Sequence, residues 1–269
     1  MYDHLDFNMT FALGPAAPRQ RVTAAIAQAS ARTGVAFDYL MNQAHIESGM
    51  RPDARARTSS ATGLYQFTSQ TWLGTVKRHG SAHGLDWAAE AIFKNGSGQF
   101  AVNDPAIRSQ ILDLRNHPET AAVMAAEFAS DNDSYLQQRL EGNPEAVDLY
   151  LAHFLGPKGA GDFLDALRDQ PDQSAALLFP AAAAANKSIF YSATGTARSL
   201  REIRDGFAAK LAGGPGRDYR ATTPLMPQRS VNAVQPQAPL QLARIEKMPS
   251  GLNLDFARKA YQRLSGLPA

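Results

Sequence analysis

Residues 37–72 read FDYLMNQAHIESGMRPDARARTSSATGLYQFTSQTW. Phe37, Leu40, Met41 and Ala44 recur at three- and four-residue spacing, the period of one helix face. Asp38 is the expected N-cap. The helix is expected to stop near Ser48, because Gly49 suits the left-handed residue that closes a helix and Pro52 forbids continuation. Glu47 then falls in the last turn. Two effects are expected to raise its pKa there: the partial negative charge of the helix C-terminus and burial in an apolar pocket. A carboxyl kept protonated near neutral pH is what cleavage of a glycosidic bond asks of its general acid, as in lysozyme, the standard example of such tuning. Residues 51–62, rich in Arg, Ser and Ala, read as a loop. GLYQF at 63–67 follows, with Gly63 permitting a tight turn. Gln66 supplies donors and acceptors to a sugar amide or to the carboxyl, and Tyr65 and Phe67 supply flat apolar faces for sugar rings. A third helix is expected from about Thr68, carrying Trp72 and Val76.

Outward from this stretch the pattern stays helical. Val22, Ala25, Ile26 and Ala29 mark a first helix that Gly34 breaks. Residues 79–104 read as irregular, and Gly96-Ser97-Gly98 as a turn. Further helices are expected at 105–115, 118–132, 134–141, 144–154 and 158–168, with Pro118 and Pro144 at first helical positions. Residues 171–210 read as one or two more helices. No run of alternating residues argues for a sheet, so the expected fold class is all-α. The expected organisation is an irregular leader at 1–18, a main body at 19–170, a helical extension at 171–212, a Pro-rich arm at 213–240 and a C-terminal amphipathic helix at 241–269. The arm holds Pro215, Pro224, Pro227, Pro236 and Pro239.

Composition removes several function classes. The 269 residues contain no cysteine, which excludes disulfides, thiolate nucleophiles and cysteine zinc sites. A formal net charge of +2 is too mild to argue for nucleic acid. The longest apolar run, Ala175–Ala185, spans 11 residues and contains Pro180, against about 20 for a membrane helix. The first residues, MYDHLDFNMTFALG, lack the basic start and apolar core of a Sec-type signal. Export, where it occurs, is expected by a leader or route they do not encode. His79 and His83 stand four apart but lack an HExxH pattern, so no metal or other cofactor is expected.

The spacing from Glu47-Ser48 to Ser60-x-x-Gly63-Leu64-x-Gln66-Phe67 resembles that of the soluble lytic transglycosylases, the goose-lysozyme-related group. The likeness covers roughly residues 20–168. It implies a lysozyme-like catalytic domain and a periplasmic or cell-envelope setting, with the glycan strands of peptidoglycan as substrate. Carried over by position, Glu47 is the catalytic acid and base. Ser48 and Gln66 help position substrate, and Ser60 and Gly63 belong to the same element. A third motif, usually A-Y-N-A-G-P, is similar to Ala152-His153-Phe154-Leu155-Gly156-Pro157. His153 and Phe154 stand where the family has Tyr and Asn, and the family Tyr commonly hydrogen-bonds the catalytic Glu.

The motif supplies one good carboxylate, whereas retaining and inverting glycosidases ordinarily need two. The resemblance resolves this by substrate assistance. One Glu protonates the glycosidic oxygen between MurNAc and GlcNAc, then deprotonates the C6 hydroxyl of the same MurNAc, leaving a 1,6-anhydro ring. A hydrolytic muramidase stays open beside it, with His153, Asp104 or Asp131 orienting a water. So does a non-catalytic peptidoglycan-binding or assembly factor of an envelope machine. The tail from residue 213, with eight Lys/Arg and three Asp/Glu, is the segment that would recruit a protein partner in such a machine.

Overall fold

The computed structural model describes residues 18–57, 59–140 and 142–213. Among the described residues the fold is mostly helical, 69% by residue. The expected leader, the Pro-rich arm and the C-terminal helix lie outside the described residues, apart from Pro18 and Gly213.

Helix α1 (Pro18–Thr33) buries Val22, Ala25, Ile26 and Ala29, the expected face. It packs on α6 (Pro118–Arg139), a 22-residue helix whose buried side is largely alanine. Small side chains let neighbouring axes approach closely, so α6 serves as the central post. Sequence punctuation suggested a break at 133, but α6 runs through it. Asp133 is buried, and its carboxylate accepts from Gln137 one turn on.

Helix α2 (Phe37–Ser48) ends where expected. Gly49 is left-handed, and the Gly49 and Met50 amides donate to His45 and Ala44 carbonyls. This is the closing pattern that satisfies a helix's last carbonyls. The expected cap differs: Ala36 occupies the N-cap without a side-chain bond, and Asp38 sits one position inside the first turn. There its charge favours the helix N-terminus instead of capping it.

Helix α3 (Ser69–His79) begins after Thr68, whose side chain accepts from the Thr71 amide. The stretch read as irregular is more ordered than expected. It contains a 3-10 turn at Gly80–His83, helix α4 (Asp86–Ala91) and an antiparallel hairpin, β1 (Phe93–Lys94) with β2 (Phe100–Ala101). Asn95 Oδ1 accepts from the Ser97 and Gln99 amides and so forms the hairpin turn. Gln70 docks the hairpin on α3 through two 2.9 Å bonds to the Phe100 backbone. These strands are too short for an alternating signature to be read from sequence.

Helix α5 (Pro105–Asp113) is capped by Asp104, which accepts from the Ala106 and Ile107 amides. Helix α7 (Ala146–Asp169) joins the two expected helices across a kink at Gly156-Pro157, where proline cannot donate and its ring crowds the preceding turn. Pro144 lies before the N-cap Glu145 and not at the first helical position.

Three short helices follow: α8 (Ala175–Leu178), α9 (Pro180–Ala185) and α10 (Lys187–Phe190). The last described helix, α11 (Leu200–Ala212), opens with a Ser199/Glu202 capping box. It packs on α7 and α2 and adds Leu200, Ile203, Phe207 and Leu211 to the same core as α1 and α6. Ser199→Ala is expected to cost about 1 kcal/mol, the usual worth of an N-cap. A urea titration reads this as a lower midpoint with unchanged slope. Among the described residues no helix is long and apolar enough to cross a membrane.

Candidate active site

Glu47 projects from the last turn of α2 toward α7. Tyr150 Oη donates to Glu47 Oε1 at 2.9 Å. His153 Nε2 stands 3.4 Å from the same oxygen. The two partners are three residues apart on α7, so one helix face presents both, their rings stacked with centroids 5.9 Å apart. Phe207 from α11 packs edge-on against Tyr150, and Phe128 from α6 lies edge-on to His153. Four helices therefore converge to fix the carboxylate. The Glu47 side chain remains 18% exposed, enough for an incoming group to reach it.

The expected rise in the Glu47 pKa is not found; the net shift is downward. Burial is the largest single influence and does push it up. His153, by hydrogen bonding and charge, then Tyr150 and then the positive charge of Lys210 together outweigh burial. Because the folded carboxylate titrates below its unfolded value, these contacts stabilise the fold above the ordinary Glu range. That contribution is lost as pH falls through the folded value. Tyr150 is pushed far above the ordinary phenol range, first by burial and then by Glu47, so it stays a proton donor. His153 Nδ1 is buried without a hydrogen-bond partner among the described residues. The ring nitrogen that faces Glu47 is therefore Nε2. Replacing His153 by Gln removes the strongest downward influence and leaves burial opposed only by Tyr150 and Lys210. The Glu47 titration should then move to higher pH, as read by carboxyl-carbon NMR; an unchanged or lower titration would contradict the account.

The 51–67 loop is built by the residues singled out from sequence, with Gly63 in the tight turn expected of it. Ser48 is buried; its hydroxyl donates to the Ala44 carbonyl and accepts from the Arg51 amide, so it holds the turn behind Glu47. The Ser60 hydroxyl accepts from the Ser69 amide, tying the loop to the start of α3. Gly63 has φ +85°, and a Cβ there would overlap the Arg115 carbonyl oxygen. Gln66 is itself left-handed at φ 47°. Its amide nitrogen donates to the Ala54 and Gly63 carbonyls and not to Glu47. Tyr65 and Phe67 do not offer faces to sugars: they are 0% and 2% exposed, with Phe67 packed edge-on to Trp72 and Phe128. Their apolar bulk forms the floor on which the loop sits. Phe154 packs near Phe190 and Phe207, one helical turn beyond Tyr150. Trp72 is core, donating to the Ile111 carbonyl, and Trp87 is partly buried.

Arg115 was not singled out from sequence. It is buried and donates to the Ser60 and Phe67 carbonyls, clamping the second half of the loop. Tyr150 was also missed: it donates to Glu47 from one helical turn before His153. The i,i+3 spacing of Tyr150 and His153 carried that signal. Lys210 and Phe207 lie too far along the chain for any local pattern to place them. The acids considered as water-holders are engaged elsewhere. Asp104 caps α5, and Asp131 pairs with Arg78 and His79. His79 and His83 bind α3 and the turn after it to Asp131 and Glu127 of α6. No protein-family model matches the chain.

Proposed function

We propose that the chain is a lytic transglycosylase that cuts the MurNAc–GlcNAc bond of peptidoglycan, with Glu47 as acid and then base. The observation that carries this reading is the Tyr150–Glu47–His153 cluster: one carboxylate, locked by two donors on one helix face and still open to solvent. The elements around it are those whose sequence resembles the transglycosylase motifs. One carboxylate suits a reaction in which the substrate supplies the second group.

In the first step Glu47 gives its proton to the glycosidic oxygen. The C1–O bond breaks as the acetamido oxygen of MurNAc closes on C1. In the second step Glu47 takes the C6 hydroxyl proton. O6 then bonds to C1 and releases the acetamido oxygen. Atoms and protons balance, with no water and no cofactor consumed. Tyr150 holds the carboxylate in place throughout, and His153 stands beside the same oxygen at 3.4 Å.

The first step needs a protonated Glu47, which the free protein disfavours at neutral pH. Burial already acts upward on this group, and a glycan covering its exposed part desolvates it further. Cleavage should therefore rise toward acidic pH on the limb set by Glu47, and His153→Gln should shift that limb to higher pH. Release of soluble fragments from dye-labelled sacculi, followed against pH for both proteins, tests this. A parent protein that releases nothing at any pH would remove the enzymatic reading.

A further inference from the structure

Lys210 stands in the last turn of α11, beyond the stretch whose sequence resembles the transglycosylases, so the likeness gives it no role. Its ammonium lies over the Phe207 ring, 5.6 Å from the centroid. That ring packs edge-on to Tyr150 at 5.1 Å, and Tyr150 donates to Glu47. The two aromatic rings thus link the ammonium to the catalytic candidate, and its charge acts on Glu47. Lys210 is exposed and forms no ion pair with any described carboxylate. A solvent-facing cation without an ion-pair partner therefore lies beside a carboxylate that is itself partly open to solvent.

The proposed cleavage decides what chemistry comes near it. Glu47 meets both the C1–O bond and the C6 hydroxyl of one MurNAc, so that sugar must sit over the carboxylate. Its lactyl arm leaves C3, next to the carbon that bears the acetamido group, and is held within one sugar ring of Glu47. The hydroxyl and acetamido groups of the strand are neutral near neutral pH. Every carboxylate of the strand is carried on the lactyl arm, either as its own free acid or on a peptide attached to it.

We propose that Lys210 is a specificity residue that takes a carboxylate carried on the lactyl arm of the MurNAc being cleaved. The identity of this ligand rests on the proposed strand cleavage. The pairing also serves the chemistry. A carboxylate on Lys210 offsets one of the positive charges that hold Glu47 ionised, and so favours the protonated form that the first step uses. A strand with a neutral arm leaves Lys210 acting on Glu47 alone. A lysine placed only to suit the dipole at the helix C-terminus would not distinguish a charged arm from a neutral one.

The test is calorimetric titration of the full chain carrying Glu47→Gln, so that no probe is cut. The probes are a GlcNAc–MurNAc tetrasaccharide with free lactyl carboxylates, the same sugar with lactyl methylamides, and the same sugar with L-Ala-D-Glu on each lactyl group. At least one carboxylate form is expected to bind about fivefold tighter than the methylamide, the upper range for an exposed ion pair. Adding Lys210→Gln should abolish that preference, and Lys210→Arg should retain it. Tight binding of the free-lactyl form identifies bare strands as the source of the carboxylate, and of the dipeptide form, strands that still carry peptide. Equal binding of all three probes, a preference that survives Lys210→Gln, or no saturable binding up to about 10 mM would each overturn the proposal. Strand cleavage by the parent protein is scored separately on sacculi. Cleavage without a charge preference keeps the enzymatic reading and removes the role of Lys210; a Lys210-dependent preference without cleavage does the reverse.

Discussion

Glu47→Gln is expected to lower strand cleavage roughly 10²–10⁴-fold, the usual worth of a positioned general acid–base. The amide keeps the shape of the side chain, and its oxygen still accepts from Tyr150 at the position of Oε1. What it lacks is a transferable proton and the capacity to take one up. The fold should be nearly untouched, because only a charged partner of His153 is exchanged for a neutral one. A shift worth about 1 kcal/mol would move the melting temperature by roughly 2–4 °C in a domain of this size. Substantial loss of activity with an intact melt separates a chemical role from a structural one. Activity within threefold of the parent would mean that another group supplies the proton.

The second large effect concerns architecture. Gly63→Ala places a Cβ on the Arg115 carbonyl oxygen in a residue that must keep φ near +85°. Neither difficulty is relieved by a side-chain rotation. The left-handed conformation costs about 1–2 kcal/mol for a residue with a Cβ, and overpacking against backbone typically another 1–3 kcal/mol. A total of roughly 2–5 kcal/mol corresponds to a melting temperature lower by about 4–20 °C. The 51–67 loop should loosen first, because the displaced Arg115 also anchors the Ser60 and Phe67 carbonyls. Hydrogen exchange at Gly63, whose amide bonds the Ala54 carbonyl, should become faster than in the α1–α6 core. A melting temperature unchanged within error would show that the close approach of Gly63 and Arg115 is wrong.

The all-α fold was legible because the helices declare themselves by period and punctuation. Gly49 ended α2, Pro118 opened α6, and the buried face of α1 followed from four apolar positions. The misreadings share a cause. The continuity of α6 through Asp133 depends on packing partners that local pattern does not contain. At the candidate site, sequence singled out Glu47 and placed the loop glycine, but assigned the aromatic residues to the surface. Tyr65 and Phe67 are apolar bulk beneath a polar loop, and burial of an aromatic is decided by what lies under it. The charge state of Glu47 was misjudged for a similar reason. Helix end and burial were visible in sequence, whereas His153, Tyr150 and Lys210 reach it from 103 or more residues away.

The central claim, that one carboxylate carries a substrate-assisted cleavage, is tested most directly by the identity of the new glycan ends. Purified sacculi digested with the parent protein and with Glu47→Gln, and analysed by mass spectrometry, give the answer in one experiment. The account predicts fragments ending in 1,6-anhydro-MurNAc, 18 mass units lighter than the hydrolysed ends, from the parent and not from the variant. Reducing ends from the parent would contradict it, because a water would then have taken the place of the C6 hydroxyl.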